Sequence, residues 1–258
     1  MRSVCRSKRG RGVRHPECLL AIAPFRSTFV ALLLCAATLG ADPASAAATP
    51  QAPDTMAARM EACTPCHGDQ GQGTSDVYFP RLAGKPAGYL ANQLIAFQEG
   101  RRKYAPMNYL LEFQTDQYLR QMAEYFSALR PPPLTPAPPS VSNAILAQGR
   151  TLVEKGDPAR SIPACSGCHG PKLTGMEPGI PGLVGLRAPY ISAQLGAFRY
   201  GTRSAAAPDC MQFVAAHLTE ADVTAVASYL ASLPVPGDPS ALAQGSLTLP
   251  LACGSEPK

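Results

Sequence analysis

The chain has 258 residues, enough for two modest domains, and its formal charge of +5 would by itself suggest an anionic partner such as nucleic acid. The excess is local: residues 1–46 hold seven of the 23 basic residues and two of the 18 acidic ones, which leaves sixteen of each beyond them. A neutral remainder removes the case for nucleic-acid binding and assigns the basicity to targeting.

In chain order, residues 1–46 read as a secretory signal. Seven basic residues from Arg2 to Arg26 precede a short apolar run, Phe29 to Leu39, and Ala44-Ser45-Ala46 follows as a cleavage site, with the cut after Ala46. An uncleaved anchor is the alternative, although the apolar run is short for a bilayer. The basic region is long enough that the true start codon could lie downstream, and Cys35 lacks the small neighbour that lipidation would want. Export to an oxidising compartment is the expected consequence, with the periplasm as destination and peripheral membrane association left open.

Residues 47–130 form the first expected domain. Thr55 to Cys63 reads as a short helix that delivers Cys63-Thr64-Pro65-Cys66-His67. A Cys-x-x-Cys-His run has the spacing that covalent haem requires: two thiols add to the two vinyl groups on one porphyrin edge, and the adjacent His comes to lie beneath the iron. Half a zinc site or a redox dithiol would also use Cys-x-x-Cys, but neither explains the His. Leu90, Leu94 and Phe97 share one face of a second helix, and Tyr118, Met122, Tyr125, Phe126 and Leu129 mark an amphipathic terminal helix, where Met122 is core filler.

Residues 131–140 are dominated by proline and form an extended, semi-stiff linker, able to run along a docked pair of domains or to hold them apart. Residues 141–258 repeat the first domain. Asn143 to Glu154 is a helix; Cys165-Ser166-Gly167-Cys168-His169 is the second haem motif; Tyr190 to Tyr200 is the next helix. The last helix begins at Thr219, a good N-cap with Asp222 three residues on, and turns Val223, Val226, Ala227 and Leu230 inward. Strand signals are poor throughout. The expected fold is all-α: two tandem cytochrome c-like helical domains, each wrapped around a covalent haem whose apolar area supplements a small core.

The repeat extends well beyond the motifs. Tyr89, Gln93, Leu94, Phe97, Gly100 and Arg102 recur 101 residues later as Tyr190, Gln194, Leu195, Phe198, Gly201 and Arg203, and a three-residue insertion near Ser204 to Cys210 shifts the offset to 104. With that shift Met107 aligns with Met211. Both precede the terminal helix in what reads as a loop able to fold back over the haem, and a thioether there would complete each iron opposite His67 and His169 and raise its potential. Core filler is the competing use of a Met. Met176 lies too close to His169 to reach the opposite side. Cys210 is a rival ligand beside Met211, but in an exported chain it is also the natural disulfide partner of Cys253, since the other four cysteines beyond residue 46 are in the haem motifs. His217 aligns with Phe113, which argues for packing. Tyr89, Tyr190, Arg102 and Arg203 are candidates for haem-edge or propionate contacts, with ordinary surface Arg as the alternative.

These residues together resemble the dihaem cytochrome c4 family over roughly residues 55–233. The match rests on both haem motifs, the Pro-x-Leu-x-Gly segments at Pro80 and Pro181, the Gln-Leu-x-x-Phe-x-x-Gly-x-Arg segments at Gln93 and Gln194, and the aligned methionines. The resemblance implies that each proximal His donates its second ring N–H to the carbonyl of Pro80 or Pro181. It implies two haems near a pseudo-two-fold interface in a periplasmic carrier, with two covalently bound haem c groups and redox-protein partners: an oxidase, a reductase or a dehydrogenase. The expected role is non-catalytic shuttling of single electrons from respiratory donors to a terminal oxidase or reductase. The alternatives are a thiosulfate dehydrogenase-like or peroxidase-like enzyme with one unusual ligand, and a cytochrome subunit of a dehydrogenase complex. The proline-rich linker and the extension to Cys253 depart from the family pattern.

Overall fold

Thr55 caps the first helix of a computed structural model that describes residues 54–75, 78–133, 135–136 and 138–256. The signal expected over 1–46 lies outside these residues. The Thr55 hydroxyl accepts the Ala58 N–H at 3.2 Å, and α1 (Met56–Met60) passes through a 3-10 turn (Glu61–Cys63) into α2 (Thr64–His67). Three longer helices complete the first module: α3 (Ala87–Gln98), α4 (Ala105–Leu111) and α5 (Asp116–Ala128), the last capped by Thr115. Helix α3 packs on both α4 and α5. Their shared core is Leu90, Phe97, Leu119, Met122 and Phe126, with Met60 added from α1, and each such side chain contributes roughly 1.5–3 kcal/mol by leaving water.

The second module follows the same order with a heavier frame: α6 (Asn143–Glu154), α7 (Ser166–His169), a two-residue antiparallel hairpin of β1 (Gly175–Met176) with β2 (Ile180–Pro181), then α8 (Ala188–Arg199), α9 (Cys210–His217) and α10 (Glu220–Ser232). Helix α10 packs on α6 and α8. The crossing with α6 is close because Gly149 lies against the Ala225 carbonyl, where any Cβ would collide. Asp222 organises this corner. It completes a capping box with Thr219 and also accepts from Arg160 Nη1 at 2.6 Å and Gln148 Nε2 at 3.0 Å. Burial alone would raise the Asp222 carboxyl, but Arg160 and Thr219 outweigh it and hold the group well below the usual carboxylate range.

The C-terminal extension is tied to the second module. Leu242 bridges Met176 in parallel, the Gly254 N–H donates to the Pro208 carbonyl at 2.9 Å, and Cys253 is disulfide-bonded to Cys210 with Cα atoms 5.1 Å apart. Arg81 holds the proline-rich segment, donating to the carbonyls of Pro131 at 2.7 Å and Pro132 at 3.1 Å. The start of the segment therefore lies on the first module, and both modules belong to one compact unit. No helix among the described residues is long and apolar enough to cross a membrane.

The two modules meet through a reciprocal array that the repeat makes two-fold in character. Arg102 Nη2 donates to the Tyr190 hydroxyl at 3.0 Å and Gln194 Oε1 at 2.8 Å; Arg203 Nη2 donates to the Tyr89 hydroxyl at 3.1 Å and Gln93 Oε1 at 2.7 Å. The backbones pair beside them, with Lys103 N–H on the Thr202 carbonyl at 2.9 Å and Ser204 N–H on the Arg101 carbonyl at 2.8 Å. Each guanidinium also lies over a phenyl ring of its own module, Arg102 over Phe97 and Arg203 over Phe198.

Candidate haem centres

Each Cys-x-x-Cys-His run coils into a single helical turn that ends at its His. The following Gly68 and Gly170 take φ of 81° and 84°, a left-handed step that stops the turn and sends the chain away beside the ring. His67 and His169 are buried, at 8% and 6% exposure. Their Nδ1–H groups donate to the Pro80 carbonyl at 3.0 Å and the Pro181 carbonyl at 2.7 Å. That bond fixes the tautomer and leaves the Nε2 lone pair available to a metal. Burial pushes both imidazole pKa values down, which favours the neutral form a metal requires.

Three of the motif cysteines show no sign of an activated thiol. Burial pushes Cys63 and Cys168 up, and Cys165 up to about 12, the opposite of the depression that activates a dithiol. Among the described residues no three His, Cys, Asp or Glu side chains converge to hold a metal ion, so the four motif cysteines form no common zinc centre.

In the second module Cys165, Cys168, His169 and Met211 line one apolar crevice closed by α8 and α10 residues such as Leu195 and Leu230. In the first module Cys63 and Met107 pack against the same core. Both methionines sit in the opening turns of short helices, α4 and α9, where the sequence suggested a loop. Pro106 starts α4 and the Asp209 carboxylate caps α9 by accepting the Gln212 N–H at 2.9 Å. Asp209 with Gln212 three residues on was a readable start signal that hydrophobic periodicity alone passed over.

Cys210 is bonded to Cys253, so its sulfur is engaged away from any iron. His217 does not pack inward as its alignment suggested. It is exposed, its ring 4.4 Å from that of Phe213, and its repeat counterpart Phe113 is itself 86% exposed. The pairing follows from the last turn of α9, which projects both rings outward. Met122 and Met176 are buried in the core. The polar ends of Tyr89, Tyr190, Arg102 and Arg203 reach across to the opposite module, and Tyr89, Tyr190 and Arg203 also line the cavity that contains His169.

That interface is electrostatically one-sided. Burial raises the Tyr89 phenol, but Arg203, Arg102 and Lys85 together outweigh it and bring it down to about 8. A larger cavity containing His169 and Met211 reaches the interface, where Lys85, Arg101 and Arg203 line it without any Asp or Glu. An apolar crevice lined by a His and a Met, with cations at one mouth, suits a haem with two propionates.

Comparison with known proteins agrees. The cytochrome c family model matches residues 146–234. The thiosulfate dehydrogenase electron acceptor of Thiomonas intermedia is 40% identical over 216 residues, covering 82% of this chain and 95% of that protein. Cytochrome c4 of Pseudomonas aeruginosa is 36% identical, covering 68% of this chain and 86% of that one. Among solved structures, reduced cytochrome c4 from Pseudomonas stutzeri aligns with a TM-score of 0.60 and 33% identity, over 69% of this chain and 96% of that one. The thiosulfate dehydrogenase of Marichromatium purpuratum aligns with a TM-score of 0.61 and 36% identity, over 67% of this chain but only 36% of that one.

Proposed function

We propose, on the premise that this chain belongs to the cytochrome c4 family, that it is the electron acceptor of a thiosulfate-oxidising dehydrogenase. As a family member it is an electron-transfer protein with two covalently bound haem c groups. The observation that carries the finer reading is the 40% identity to a thiosulfate dehydrogenase electron acceptor across 95% of that protein. The solved dehydrogenase adds to it: this chain corresponds to 36% of that chain, and the larger part has no counterpart here. We read the match as one to the acceptor portion of that protein.

In this reading Cys63 and Cys66, and Cys165 and Cys168, would hold the two haems, with His67 and Met107, and His169 and Met211, as the iron ligands. Haem iron would supply one-electron exchange. The Pro80 and Pro181 carbonyls and the packed helices hold these side chains in place, so little would rearrange during transfer. The Arg–Tyr–Gln array keeps the modules docked, which removes domain diffusion from transfer between them. Because Cys210 is bonded to Cys253, the thiol that would favour a catalytic ligand set is withdrawn, and the chain acts as a carrier in the periplasm.

Rapid mixing of the oxidised protein with thiosulfate, with and without a purified thiosulfate dehydrogenase, tests the proposal through haem absorbance. Reduction that requires the dehydrogenase is expected. Turnover of thiosulfate by this protein alone would make it the enzyme, and no reduction in either mixture would sink the acceptor reading.

A further inference from the structure

The contact that breaks the interface symmetry is Lys85. Its repeat counterpart is Leu186, so one module sends a cation into the junction and the other sends an apolar side chain. Lys85 Nζ donates to the Gly182 carbonyl of the second module at 3.0 Å. Gly182 directly follows Pro181, whose carbonyl holds the His169 ring at 2.7 Å. The repeat is broken at the receiving end too, since Gly182 stands where the first module has Arg81, and a side chain there would meet the Thr174 backbone. Lys85 lines the cavity that holds His169 and Met211, and no carboxylate among the described residues pairs with it.

We propose that Lys85, supplied by the first module, sets the reduction potential of the second haem by placing a solvent-shielded positive charge beside its proximal histidine. Ferric haem carries one more positive charge than ferrous haem. A protonated lysine therefore favours the reduced state, with a larger effect where water is excluded, and the same burial pushes the Lys85 pKa down from its ordinary value. At the first haem Leu186 stands in the equivalent place, so the second module sends no lysine back across the junction. Lys85 is a positioning residue that acts through the field at His169, and its effect on the second haem requires the modules to be docked. The inference rests on His67 and His169 as haem ligands.

The test is a spectroelectrochemical titration of the full-length holoprotein beside Lys85→Met, Lys85→Gln and Lys85→Arg. Met211→His, which shifts the second haem's wave, identifies which wave is which. Both neutral variants are expected to lower the reduction equilibrium constant of the second haem roughly three- to tenfold, tenfold being 59 mV for one electron. The first haem should move less, and Lys85→Arg should restore the value. Equal shifts of both haems, no shift, or failure of Lys85→Arg to restore it would overturn the proposal. So would loss of the Met–iron charge-transfer band in both neutral variants, which would make Lys85 a structural prop. Fewer than two haems in the unaltered protein would overturn the underlying ligand assignment as well.

Discussion

The two modules hold near-identical haem sites in unequal surroundings. In each, a Cys-x-x-Cys-His turn ends at a left-handed glycine and the His is fixed on a proline carbonyl. The first module reaches its motif through the five-residue α1 and leaves Cys66 exposed. The second has the twelve-residue α6, the Asp222 corner, a C-terminal extension bonded at Cys210, and Lys85 delivered from outside. Duplication preserved what iron ligation needs, and divergence fell on what tunes potential, stability and access.

The largest expected effect breaks both sites in the same way. Met107→Ala or Met211→Ala should each abolish one Met–iron charge-transfer band and lower only that haem's potential, axial ligand identity being able to move haem potentials over as much as about 0.8 V. An unchanged spectrum would remove that Met from the ligand set. The next effects are confined to the second module. Opening the loop between Cys210 and Cys253, separated by 43 residues, with Cys210→Ser should cost up to about 4 kcal/mol by chain entropy. Denaturant unfolding followed separately at the two haems should show the loss in the second module first.

Asp222→Ala removes a helix cap and charge-assisted bonds to Arg160, for an expected loss of about 2–3 kcal/mol in the second module. The pH dependence has a definite sign. The folded pKa of Asp222 is depressed, so its contribution is complete above the unfolded value of about 3.9 and is lost as pH falls from there towards the folded one. Wild-type and Asp222→Ala stabilities should therefore converge below about pH 4. The smallest effect belongs to the linker: Arg81→Ala should cost about 1 kcal/mol and quicken proteolysis near residues 131–140, with both haem potentials unchanged.

Much of the second module was legible because its signals are local. Asn143 to Glu154 appears as the helix that periodicity gave, and Thr219 with Asp222 forms the capping box its spacing implied. The helices carrying Met107 and Met211 were missed because each is too short to show a hydrophobic period. His217 was misjudged because its alignment with Phe113 assumed that an aromatic position is a buried one.

The sequence by itself determined the cofactor chemistry, the duplication and the family. Thioether attachment depends on five consecutive residues, and a repeat is visible as soon as the chain is aligned with itself. Only the tertiary structure decided that Arg102 and Arg203 bind each other's module and that Lys85 reaches Gly182. Those partners lie 88 to 114 residues apart, and nothing in local periodicity encodes which faces of two folded modules will meet. The same docking turned a Lys and a Leu at equivalent positions from an unremarked difference in the repeat into an asymmetry between the two haem sites.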